Sequence, residues 1–137
     1  MCIRDRYKII KIRNYAATRD IELQNHNTNT INLCFDDSAV VSYNNFDFIE
    51  EGTVYDCKME LLGNFEHTKS DSNVIVTILE SDVLIRNTKY LKVSIDSDIY
   101  YILMSDTKNF TLTKYMYYHF TRIDLIQVDN VIHGDCI

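Results

Sequence analysis

The chain has 137 residues, with 20 Asp and Glu against 14 Lys and Arg and a formal charge of -6 at neutral pH. That length suits one domain that buries its own core, and the acidic balance works against general nucleic-acid binding, whose affinity comes largely from cations set against phosphates. No apolar run nears the roughly 18 residues that a membrane-spanning helix requires.

Residues 1–6 (MCIRDR) back-translate to a sequence that resembles the end of a transposon adapter used for sequencing libraries. They are read as adapter-derived and carry no functional argument. The native amino terminus, and any signal peptide with it, is then expected to be missing. Without them the balance is 12 basic against 19 acidic residues, a charge of -7. The chain has no proline and three glycines but many Asn, Ile and Tyr, the usage of a low-GC bacterial genome, so Asn, Asp and Ser must make the turns. Cys34, Cys57 and Cys136 are an odd set at irregular spacing, which argues against a disulfide framework and for a cytoplasmic protein.

In chain order, residues 7–12 (YKIIKI) are β-rich. Ile21 and Leu23, the polar turn 25–29 and then Ile31, Leu33 and Phe35 predict a hairpin with Asn32 and Cys34 on its outer face. Residues 37–44 hold the one plausible short helix, with Asp37 or Ser38 as N-cap. Phe46 and Phe48 precede the acidic turn Glu50-Glu51-Gly52 and are expected to plug the core. The clearest strand follows, with Tyr55, Cys57, Met59 and Leu61 on one face, Asp56, Lys58 and Glu60 on the other, and Gly52 and Gly63 turning the backbone at its ends.

Residues 64–73 read as a loop. Three β-like runs follow at 74–79, 90–95 and 99–104, with breaks at Asn87 and at Asp96-Ser97-Asp98. The run 99–104 is apolar on both faces, as a central strand is. Residues 114–122 (KYMYYHFTR) put Tyr115, Tyr117 and His119 on one side and Met116, Tyr118 and Phe120 on the other, and residues 123–132 form a last strand bent at Asp129-Asn130. Short strands with turn signals about ten residues apart predict an all-β, or β-dominated, fold: a small closed or partly open antiparallel barrel, one domain over residues 7–137, without an internal repeat.

Chemistry-bearing motifs are sparse. There is no glycine-rich phosphate loop and no G-x-S-x-G. His26, His67, His119 and His133 lie on different predicted elements, and His133, Asp135 and Cys136 read as a frayed tail. Asp96 and Asp98 open like a calcium loop, but Tyr101 and Thr107 stand where its glycine and glutamate belong. The expectation is a non-enzymatic binding module without cofactor or metal. Its first candidate surface is the acidic set Asp36, Asp37, Asp47, Glu50 and Glu51, suited to a basic protein partner. The alternative is single-stranded nucleic acid on the strip Lys114, Tyr115, Tyr117, His119 and Arg122.

Gly52, Tyr55, Lys58 and Gly63 with Phe65 resemble the opening strand of OB-fold modules of the S1 type, with Cys57 where a small residue is usual. The resemblance covers residues 52–65. It implies a five-stranded Greek-key barrel that binds nucleic acid through stacked aromatics on a basic groove. The net charge opposes the second half of that implication.

Overall fold

The computed structural model describes residues 6–38 and 45–133, and the protein is all-β. Its strands are β1 (Arg6–Asn14), β2 (Arg19–Asn25), β3 (Ile31–Asp36), β4 (Val54–Glu66), β5 (Val74–Ile85), β6 (Thr88–Ile95), β7 (Asp98–Leu103), β8 (Tyr115–Val128) and β9 (Val131–Ile132), with a 3-10 turn at Met104–Thr107. Arg6, the last residue read as adapter-derived, is the first of β1. The helix expected over 37–44 falls mostly on residues outside those described.

The sheet order is β3-β2-β1-β4-β7-β6-β5-β8-β9. Taken as two blocks of four, this is one pattern used twice: a three-strand meander whose fourth strand returns beside its first, which is a Greek key. In the first block β4 pairs antiparallel with β1, and in the second β8 pairs antiparallel with β5. The two long fourth strands then pair with each other, from Cys57 opposite Val128 to Glu66 opposite Tyr117. Each third strand also touches the other block's fourth strand in parallel, Phe35 beside Asp124 and Glu60 beside Tyr101. The pairings therefore close two five-membered rings that share the β4–β8 ribbon. No repeat is legible in the sequence; the repeat is one of topology.

The alternation read in β4 holds. Cys57, Met59, Leu61 and Phe65 face the main core with Tyr118 and Leu125 from β8, Tyr7 and Ile9 from β1, and Ile21 and Leu23 from β2. β7 is central, between β4 and β6. It sends Tyr100 and Ile102 into that core and Tyr101 into a smaller one with Ile85, Tyr90 and Ile126, which is why the run 99–104 is apolar on both sides.

Four expectations are corrected. Gly63 does not end β4 but lies inside it, at a bulge in the β4–β8 ladder; only Gly52, with φ of +85°, makes a turn. The β2–β3 hairpin forms, but its second strand has its faces reversed: Asn32 and Cys34 are buried while Ile31 and Leu33 point outward. The register places Cys34 opposite Ile21 and Asn32 opposite Leu23, both core residues; the Tyr100 hydroxyl donates to the buried Asn32 Oδ1 at 2.9 Å, while Asn32 Nδ2 has no hydrogen-bond partner among the described residues. Phe46 is fully buried but Phe48 stays 43% exposed, edge-on to Tyr55. Residues 115–128 form one strand instead of two, and the break at Asp129 (φ of +51°) is the β8–β9 turn.

The core holds two phenols whose protonation reports on it. Tyr118 donates to the Leu61 carbonyl at 3.2 Å across the shared ribbon. Burial, then the charges of Asp106 and Glu60, hold its phenol well above the ordinary value. Burial pushes Tyr100 up to about 12, with the Asp98 carboxylate adding to the shift and the bond to Asn32 opposing it. A phenol that keeps its proton longer in the folded than in the unfolded chain stabilises the fold fully below the unfolded value of about 10, and that stability is lost as pH rises from there through the folded value. Urea midpoints are thus expected to hold up to about pH 9 and to fall above about pH 10, with part of the tyrosinate absorbance appearing only on unfolding. Smooth ionisation of all ten tyrosines near their ordinary value would contradict the burial.

Candidate functional site

The acidic set divides on folding. Asp36, at the end of β3, is 3% exposed; its Oδ2 accepts from Arg19 Nε at 3.1 Å and Nη2 at 2.7 Å, and its Oδ1 accepts from the Ser38 amide. Arg19 Nη2 also donates to the Phe46 carbonyl at 2.7 Å, so one guanidinium ties β2, the end of β3 and the segment leading into β4. Asp37 is hydrogen-bonded to His133 Nε2 at 2.6 Å. His133 is 5% exposed and so no part of a frayed tail; Asp135 and Cys136 lie outside the described residues.

The other three acids are on the surface. Asp47, Glu50 and Glu51 are exposed on the segment between Phe46 and the Gly52 turn, and Glu51 Oε2 accepts the Ile12 amide at 2.8 Å. Of these three, Asp47 lines a cleft of about 400 Å3, together with Asn14, Tyr15, Ala16, Ala17, Thr18, Arg19 and Asp36. Tyr15 in its lining is 58% exposed, and Phe48, which follows Asp47 in the chain, is 43% exposed. Because Arg19 is already committed to Asp36 and a carbonyl, the free charge around the cleft is negative.

The β8 strip is brought together in part. Tyr115, Tyr117 and His119 share the outer face of β8, with Met116 and Tyr118 turned to the core as the alternation predicts. Lys114 Nζ lies 5.4 Å from the centre of the Tyr115 ring. His119 Nδ1 is 2.6 Å from the Ser72 carbonyl, so this nitrogen donates. Arg122 stands beyond the bulge and is engaged elsewhere: it grips both Asp124 oxygens, at 2.6 and 2.9 Å, and its guanidinium lies 4.5 Å from the Phe35 ring centre. Burial raises the Asp124 carboxyl from its ordinary value, opposed by the Arg122 pair. The strip therefore offers aromatics without the row of free cations that a nucleic-acid backbone needs.

Sequence reasoning missed two polar arrangements. Asp98, read as a turn residue, is 5% exposed and accepts from Asn25 Nδ2 at 3.0 Å and the Thr28 hydroxyl at 2.6 Å, joining the β2–β3 turn to β7. The second is a groove of about 310 Å3 lined by Glu66, His67, Asn109, Phe110, Thr113, Tyr115 and Tyr117. The groove is framed by the end of β4, which runs through residues 64–66 where the sequence reads as a loop, and by the segments 67–73 and 108–114; those two segments carry no periodic signal, so nothing in the sequence joins them. Cys34 and Cys57 are buried free thiols; burial, with smaller contributions from Cys57 and Asp124, pushes the Cys34 thiol well up, which makes it an unreactive packing residue. No group of three or more His, Cys, Asp or Glu side chains able to hold a metal occurs among the described residues. No helix among them is long and apolar enough to cross a membrane.

The arrangement defines an all-β protein of two Greek keys joined through their fourth strands, with an acidic cleft and an aromatic groove on the surface of the described residues. No protein-family model matches the chain, no curated protein matches it, and no solved structure matches it.

Proposed function

We propose that the protein is a non-catalytic binding module that takes a basic partner protein at the acidic cleft. The observation that carries this reading is that Asp47, Phe48, Glu50 and Glu51 are all exposed on one short segment, and that Asp47 lines a cleft with the exposed Tyr15. Aromatics that cover the aliphatic stem of a lysine or arginine, inside a rim of carboxylates that meets its charge, are what a cationic side chain needs. The pairing of Asp36 with Arg19 leaves those two as scaffold, and the partner's charge falls to the exposed acids. The five-strand ring of β1, β2, β3, β8 and β4 is a Greek-key layout in which residues 54–66, whose likeness is to an S1-type opening strand, form the fourth strand, so the layout is compatible with a binding role and does not select the ligand.

A fluorescent lysine- and arginine-rich peptide titrated into the protein at low and physiological salt tests the reading. Binding is expected to weaken with salt, as exposed charge pairs do, and to drop by about tenfold in the double variant Asp47→Asn, Glu50→Gln. Equal binding by that variant, or none by the parent protein at low salt, would remove the proposal.

A further inference from the structure

Independently of the acidic cleft, we propose that the groove on the outer face of β8 binds a neutral oligosaccharide. Its floor is aromatic. Tyr115, 59% exposed, and Tyr117 lie two residues apart on one strand face, which sets their backbone positions roughly 7 Å apart along the strand. Neighbouring sugar rings can rest on such a pair, their axial C–H bonds against the negative faces of the π-systems. One wall is the His67 ring stacked on Phe110, with centroids 4.5 Å apart and planes inclined by 19°, and Phe110 in turn packs against Phe65 of the core at 5.7 Å. The pair is therefore anchored, and a ligand meets a preformed surface. At about 310 Å3 the groove has the size of one or two sugar units.

Its polar groups suit hydroxyls better than phosphates. Glu66, opposite Tyr117 on β4, supplies a carboxylate whose Oε1 is oriented by Asn73 Nδ2 at 2.7 Å, and Asn109 and Thr111 add an amide and a hydroxyl at the lip. No lysine or arginine lines the groove among the described residues. Lys114 stands at its edge over Tyr115, while Lys69 donates to the Ser70 and Asn73 carbonyls at 3.2 and 3.1 Å. With one carboxylate in the wall and one ammonium at the edge, the site is close to neutral. A single strand stacking its bases on Tyr115 and Tyr117 would bring several phosphates past Glu66 with little to neutralise them.

Native gels cast with and without neutral polysaccharides (xyloglucan, mannan, β-1,3-glucan and dextran) test this on the full chain, with hexasaccharides titrated calorimetrically and a labelled oligo-dT strand run in parallel. Retardation by at least one neutral polysaccharide is expected, weakened about tenfold in Tyr115→Ala, kept in Tyr115→Phe, and unchanged in Leu84→Ser, an exposed site elsewhere on β5. A thermal melt of each variant separates lost binding from lost folding. Salt-sensitive binding of oligo-dT with no retardation by any polysaccharide would overturn the proposal in favour of nucleic acid, and binding of neither would overturn it outright.

Discussion

Gly63→Ala is expected to be among the most damaging single substitutions in the chain, although it adds one methyl group. A Cβ at this position would fall inside the van der Waals shell of the His119 carbonyl and 2.7 Å from Phe120 Cα, which are backbone atoms that no rotamer change can move aside. The clash sits where the β4–β8 ladder changes register between Leu62 and Gly63. Relief requires the two strands to separate where both rings of the sheet share them. We expect a loss of about 3 kcal/mol or more, at the upper end for overpacking, read as a lower urea midpoint. Gly52→Ala places its methyl in open space but at a φ of +85°, so it carries only the conformational term of about 1 kcal/mol. If Gly63→Ala is no worse than Gly52→Ala, the close approach at the bulge is wrong.

The joint nature of the β4–β8 ribbon also explains what sequence could show. β4 was legible because Tyr55, Cys57, Met59 and Leu61 alternate with the polar Asp56, Lys58 and Glu60, and the β6–β7 turn was legible at Asp96 because Asp tolerates the left-handed backbone it adopts there (φ of +54°); the β5–β6 turn falls at Asn87 as read, although the left-handed residue is its neighbour Arg86. Gly63 was misplaced because a glycine demanded by a neighbouring strand looks the same in sequence as one demanded by a turn. The faces of β3 were reversed because the alternation of Ile31, Leu33 and Phe35 is an ordinary amphipathic signal, and Tyr100, which bonds the buried Asn32, is distant from it in the chain. Both failures have one cause: the deciding partner is far away in the chain.

The candidate surfaces follow the same rule. The acidic residues were visible as a group, but which of them are spent inside the fold depends on Arg19 and His133, which sequence could not place beside Asp36 and Asp37. The strip on β8 was visible as a strand with an aromatic outer face, whereas the His67 and Phe110 wall of its groove comes from loops that meet only in three dimensions.

Arg19→Ala is the second substitution with a large expected effect, and it separates scaffold from surface on the acidic side. The Arg19 side chain is 14% exposed and the Asp36 side chain 2%, with Nη2 and Oδ2 2.7 Å apart. Removing the guanidinium leaves a buried carboxylate that has lost its counter-charge and a Phe46 carbonyl that keeps the Ile49 amide at 3.2 Å but loses the shorter bond to Arg19. Breaking a buried pair from one side typically costs about 3–5 kcal/mol, far above the roughly 0–1 kcal/mol of an exposed pair such as Arg13 with Glu22. The pair itself need not stabilise the fold by that amount, since most of the penalty belongs to the stranded charge. The double variant Arg19→Met, Asp36→Leu, which removes both charges, should therefore recover much of the loss seen in Arg19→Ala. Urea titrations of the parent, Arg19→Met, Asp36→Leu and the double variant close the cycle, with Arg19→Ala measured beside them. A near-neutral Arg19→Ala would mean that Asp36 is solvated and belongs to the open acidic rim. A large loss with recovery in the double variant places it in the scaffold that holds Phe46, and with it the segment carrying Asp47, Glu50 and Glu51, against the ends of β2 and β3.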